Sequence, residues 1–180
     1  KDRDEKILIN GWYDQWIRPT GVEINHLKDV GFNNEEIKKK WGVQGFLGRS
    51  SGLDALIKLA YNPTCTICGF DSGYKGKGQK TVLPSKAMVK IDFRLAFDQN
   101  PDVLFEKLKL HLLNNGFADI NVDKLGSIEP SKTPLESPIA RLVSHAAERV
   151  YSKKPAIYPS AEGAGPDYLF TKRLGMNSVW

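Results

Sequence analysis

Pro63-Thr-Cys-Thr-Ile-Cys-Gly69, Gly73-Tyr-Lys-Gly-Lys-Gly-Gln-Lys80 and Lys86-Ala-Met-Val-Lys-Ile-Asp-Phe-Arg-Leu95 stand one after another in mid-chain, and how they are read decides the fold. The first run is rich in β-branched and small residues and is predicted as a strand. The second is too glycine-rich and charged for a core element and reads as an exposed loop. In the third, Ala87, Val89, Ile91, Phe93 and Leu95 alternate with Lys86, Met88, Lys90, Asp92 and Arg94, which predicts a half-buried strand.

Downstream, Asn100-Pro101 supplies a helix cap and a first-turn proline, after which Leu104, Phe105, Leu108 and Leu112 recur at helical spacing and Gly116 closes the helix. Ile120 and Val122 then alternate with polar neighbours, as a short strand would. Strand, strand, helix, strand is most of a ferredoxin-like α+β sandwich, an antiparallel sheet with helices on one face. Upstream, residues 34–41 predict a helix that Asn33 or Asn34 caps and Gly42 ends. Ser51-Gly-Leu-Asp54 resembles a capping box for a second helix reaching about Tyr61, where Pro63 stops it. His26 falls in a polar loop or helix start.

Three prolines between Glu129 and Pro138 mark a linker, and the domain border is expected there. The first domain then covers residues 1–128, with an incomplete N-terminus, and the second residues 129–180. Beyond the border, Ile139, Leu142, Val143, Ala146, Ala147 and Val150 make an amphipathic helix. Strands are predicted at residues 156–159 and 177–180, with a helix from Asp167 to Leu174 between them. Helix, strand, helix, strand is a slice of an α/β domain, whose last strand needs a sheet continuing past Trp180.

The chain has 180 residues, 41% of them apolar and 26% charged, and a formal charge of +5, as in ordinary globular proteins. No apolar run approaches the roughly 18 residues of a membrane span, so no membrane partner is expected. Lys75, Lys77, Lys80, Lys86 and Lys90 form a basic cluster, read as a solvated face because no nucleic-acid module accompanies it. Cys65 and Cys68 share a spacing known from redox and zinc sites. On a regular strand, however, they would point to opposite faces roughly 10 Å apart, too far for a disulfide. Free thiols fit a cytoplasmic location. Gly73 and Gly78 have the separation of a phosphate-binding loop, but Gln79 holds the lysine position and a strand follows in place of a helix.

Asn62-Pro-Thr64, then Lys80-Thr-Val-Leu-Pro84 behind its glycines, then Phe93-Arg-Leu95 resemble the lid, or dimerisation, domain of co-catalytic zinc peptidases. These include carnosinase-like dipeptidases, aminoacylases, acetylornithine deacetylases and succinyl-diaminopimelate desuccinylases. The likeness is most specific to the carnosinase-like branch, where Gly11-Trp-Tyr-Asp14 has a counterpart. It implies a parent hydrolase in which two divalent metal ions, zinc by analogy, activate a water against an amide carbonyl while a glutamate takes its proton.

The resemblance also implies site residues. Arg94 would pair with a substrate carboxylate through its planar fork, and Thr81, supplied by the partner subunit, would donate a hydrogen bond to substrate. Ser160-Ala-Glu-Gly-Ala-Gly-Pro166 resembles the family's glycine-rich turn before a helix, whose amides approach the carboxylate. Gly163 matches the family glycine, Ala164 stands where a hydroxyl is usual, and Glu162 lies one place after the usual glutamate. No catalytic residue and no metal ligand is assigned to this chain, since no histidine-x-aspartate and no terminal catalytic histidine motif occurs in it, and the adjacent Glu35 and Glu36 belong to the start of the helix over residues 34–41. The expectation is a homodimer built through the lid, acting on a small peptide or N-acyl amino acid in the cytoplasm and not on nucleic acid. A non-enzymatic ferredoxin-like interaction module and a single-strand nucleic-acid binder are the alternatives.

Overall fold

The computed structural model describes residues 1–161 and 163–180. The order is α1 (Gly21–Val30), α2 (Asn34–Trp41), a single 3-10 turn (Leu47–Arg49), α3 (Gly52–Tyr61), β1 (Thr64–Ser72), β2 (Ala87–Arg94), α4 (Pro101–Asn114), α5 (Pro138–Tyr151) and a π-helical turn (Leu169–Arg173). The fold is α+β, with one two-stranded antiparallel sheet among the described residues.

β1 and β2 pair from Thr64 opposite Arg94 to Ser72 opposite Ala87, with the ladder interrupted between Ile67 and Gly69. Cys68 is the extra residue of a β-bulge, and this matters for the faces. In a regular strand Ile67 and Phe70 would point oppositely; the bulge changes the parity, so both join Cys65, Val89, Ile91 and Phe93 on one apolar face. The other face carries Thr64, Thr66, Lys90, Asp92 and Arg94. Both cysteines are free. Cys65 packs on the core, where burial pushes its thiol above the usual range, and Cys68 is exposed.

Two apolar clusters hold the chain. Ile7, Trp12 and Leu104 join Cys65, Phe93 and Leu95, with the Trp12 and Phe93 ring centroids 4.8 Å apart. The leading segment thus seals the sheet end against α4. Its turn at Gly11–Asp14 forms as expected, and Gly11 adopts a φ of 71° there, a left-handed backbone that favours glycine. The Lys107 ammonium then clamps that turn, donating to Gly11 O (2.6 Å) and Asp14 Oδ2 (2.8 Å). Buried Gln99 donates to Trp12 O at 2.7 Å and accepts from Ala96 N at 2.9 Å, satisfying backbone groups that water cannot reach. The second cluster, Leu27, Leu56 and Tyr61, joins α1 to α3; each such leucine contributes about 1.5–3 kcal/mol on full burial.

Several expectations need correction. Of the two readings of His26, polar loop or helix start, the helix holds: it lies in α1, behind a complete capping box of Thr20 and Glu23. The box expected at Ser51 and Asp54 does not form: Ser51 makes no cap bond, Asp54 pairs with Lys58, and Gly52 N donates to Asn34 Oδ1 instead. Residues 120–122, 156–159 and 177–180 are not strands, because among the described residues no ladder partner reaches them. Ser178 N, for one, donates to Thr133 Oγ1. The helix expected over residues 167–174 does form, with its Leu169–Arg173 part wound as a π-turn in which Leu174 N bonds Leu169 O. β2 alternates as read but is not half-buried. Phe93 alone among its apolar side chains leaves the exposed class, since the core cluster covers only that end of the sheet.

The segment 129–138 has no regular structure until α5 begins, yet it is tied down. Glu129 pairs with Lys172 (3.4 Å) and Arg173 (3.2 Å), and Lys132 pairs with Glu23.

Candidate functional site

Arg94 closes β2 on the polar face, opposite Thr64. Its side chain is half-exposed and bends back along the strand so that Nε donates to Asp92 Oδ2 at 3.0 Å. Arg94 therefore lies on an open, polar sheet surface.

Thr81 lies in the exposed loop between Ser72 and Ala87, beyond the last strand pair. Arg94 is at the opposite end of the same ladder. Seven residue steps along β2, at about 3.3 Å each, set these ends roughly 23 Å apart. Thr81 lies in the loop past the far end of that ladder, and no hydrogen bond among the described residues joins it to Arg94.

Gly163 and Ala164 form an exposed turn ahead of the π-helical segment; Glu162 lies outside the described residues. The turn is anchored on both sides. Ser160 Oγ donates to Ala60 O at 2.9 Å, using a carbonyl of the last turn of α3. After the turn, Asp167 Oδ1 accepts from Ser178 Oγ (2.8 Å) and from the Trp180 indole (2.6 Å). Trp180 lies so close to Gly165 that a Cβ there would meet its ring at 2.8 Å. No contact among the described residues links this turn to Arg94 or Thr81.

A buried charge cluster was not anticipated. The Glu23 carboxylate accepts from Thr20 N (2.8 Å) and Thr20 Oγ1 (3.1 Å) and pairs with Lys132, whose ammonium sits 5.3 Å from the ring centres of both Tyr61 and Phe97. Burial raises the Glu23 pKa, but the Lys132 ammonium and the Thr20 donors outweigh it, leaving the carboxyl below the usual carboxylate range. Burial and the neighbouring Glu23 charge push the Tyr61 phenol upward. The Thr20-x-x-Glu23 spacing was a signal for the helix start; nothing local announced Lys132.

Among the described residues no three His, Cys, Asp or Glu side chains gather where they could hold a metal ion, so the residues present do not fit a metal centre. Nor is any helix long and apolar enough to cross a membrane. Shallow hollows along α4, lined by Val103, Leu110, Leu113 and Phe117, contain none of the site residues above. What this chain offers chemically is an arginine for an anion, an exposed hydroxyl, and backbone amides at a glycine turn.

Comparison with known proteins narrows the reading. The pattern that defines the M20 peptidase dimerisation domain matches residues 24–119. The chain is 29% identical over 111 residues to human Beta-Ala-His dipeptidase, covering 62% of this chain and 22% of that protein. It is 26% identical over 168 residues to the Cys-Gly metallodipeptidase DUG1 of Saccharomyces cerevisiae, covering 93% of this chain and 33% of that protein. The solved M20 family metallo-carboxypeptidase Sso-CP2 from Sulfolobus solfataricus superposes with a TM-score of 0.85 at 34% identity, over 97% of this chain and 40% of that one. The chain thus spans a fifth to two fifths of the length of these relatives.

Proposed function

The chain belongs to the M20 peptidase dimerisation-domain family, and on that premise we propose that it is the lid and an adjoining catalytic-domain slice of a metal-dependent dipeptidase, carboxypeptidase or N-acyl amino acid deacylase acting as a homodimer. The lid is residues 1–128 and the slice residues 129–180. One observation supports the proposal: Arg94 ends β2 opposite Thr64 while Thr81 lies in the loop past the other end of the ladder, an arrangement suited to a substrate held between two facing copies.

In this reading Arg94 receives the terminal carboxylate of a peptide or N-acyl amino acid through two parallel N–H···O bonds. Thr81 of the second copy donates a hydrogen bond to the same substrate. Gly163 and Ala164 contribute backbone amides, with no side-chain hydroxyl at Ala164. Glu162, outside the described residues, stays a sequence-based candidate for this contact. The two divalent ions, zinc by analogy, would be held by other parts of the full-length enzyme, where they would supply an activated water. This chain's residues bind and orient. The free thiols support a reducing, cytoplasmic setting, and Cys-Gly and β-alanyl-histidine are the first substrates to try.

Subunit mixing tests the shared site. Full-length Arg94→Ala and Thr81→Ala enzymes are each expected to lose about tenfold or more in kcat/KM for a substrate with a free carboxylate, the measure used for the mixture as well. Co-refolded in equal amounts, they should recover about a quarter of wild-type activity, since half the dimers are mixed and each carries one intact site. Recovery of nothing beyond the two parents would reject a site built across two copies.

A further inference from the structure

Resting on the reading of Arg94 as the carboxylate receptor, we propose that Asp92 is a positioning residue that decides which edge of the Arg94 guanidinium a substrate meets. A guanidinium has two forks for a carboxylate, one formed by Nε with an Nη and the other by the two Nη groups. Asp92 Oδ2 accepts from Nε at 3.0 Å and so occupies the first fork. Among the described residues neither Nη group has a partner, and the terminal fork is left open.

Strand geometry supplies the arrangement. Asp92 precedes Arg94 by two residues and shares its face, within reach of an arginine folded back along the strand. Thr66 stands opposite Asp92 and Gly69 opposite Lys90, so no bulky cross-strand group competes for the carboxylate. Lys90, the other cation next to Asp92 on that face, makes no ion pair with it. Without the bond, a half-exposed arginine would sample several rotamers and lose that freedom when substrate binds.

Two physical effects of Asp92 have opposite signs. Its negative charge beside the receptor repels an anionic substrate, so by charge alone its removal tightens binding. Its hold on Nε preorganises the fork, so by positioning its removal weakens binding. The proposal is that positioning wins.

The experiment uses the full-length metal-loaded enzyme with Cys-Gly and its C-terminal amide as probes. Arg94→Ala should raise KM for Cys-Gly about tenfold or more and leave the amide nearly unmoved. Asp92→Asn should raise KM for Cys-Gly about three- to tenfold, leave kcat within about twofold, and leave the amide unchanged. On the Arg94→Ala background it should add nothing. If Arg94→Ala has its effect but Asp92→Asn leaves KM unchanged or lowers it, the positioning role falls and the receptor reading stands. If Arg94→Ala changes nothing, the receptor reading falls and takes this inference with it. A probe independent of turnover is the Arg94 Nε–H resonance of this chain. It should be resolved at neutral pH and exchange-broadened in Asp92→Asn; an identical signal in both would overturn the proposal.

Discussion

Glu23 carries two duties in one carboxylate, closing the capping box of α1 and neutralising Lys132. Both partners are largely withdrawn from water, with side chains 7% and 16% exposed. Replacing Lys132 with Met leaves a buried carboxylate without its counter-charge, and the expected cost is about 3–5 kcal/mol by denaturant unfolding. Glu23→Gln keeps the cap but strands the ammonium, at a similar cost. The double variant should lose less than the sum of the singles, since neither charge is then left alone. The pH dependence follows from the depressed Glu23 pKa. The contribution is fully present above the unfolded carboxyl value near about 4.3 and is lost as pH falls through the lower folded value. In Lys132→Met that acid loss should flatten, as pH-dependent melting would record.

The Cys68 bulge does its work at the scale of the hairpin. Cys68→Ser should change stability by no more than about 0.5 kcal/mol, because the side chain is exposed and a hydroxyl replaces a weak thiol contact to Lys90 O. Deleting Cys68 should instead remove the extra residue that bends β1 while leaving Phe70 opposite Val89 and Ser72 opposite Ala87. Cross-strand NOEs between Phe70 and Val89, retained alongside those between Cys65 and Phe93, would record it, and their loss would contradict it. The alternation of β2 and the strand character of β1 were legible in sequence, as were the asparagine caps at Asn33 and Asn100. The bulge was not, since it is fixed by the pairing of two strands. Alternation also tells which side chains share a face and not whether anything covers it, which is why Val89 and Ile91 are exposed. Two alternating residues, as at Ile120 and Val122, cannot distinguish a paired strand from extended backbone. The Thr20-x-x-Glu23 spacing of a capping box is present in the sequence ahead of α1. Arg94 and Thr81 could be picked out by motif, but an Asp two residues before an Arg is ordinary strand spacing and carried no sign of the bond between them.

Across the whole molecule, the last turn of α3 gathers segments from distant parts of the chain. Tyr61 O accepts the Trp16 indole at 2.8 Å, Ala60 O accepts Ser160, and the Tyr61 ring backs Lys132. The proline-rich stretch around Lys132, which composition marks as a loose tether, is thereby stitched to the helical half of the molecule. Hydrogen exchange should find amides of residues 129–137 and those around Ser160 opening together with α3, as one cooperative unit, while β1 and β2 open on their own schedule. Independent, faster exchange at residues 129–137 would contradict it. A helix end that shares its carbonyls in this way behaves like the keystone of an arch: it adds little surface of its own, and segments that never meet in sequence lean on it and fall when it is pulled.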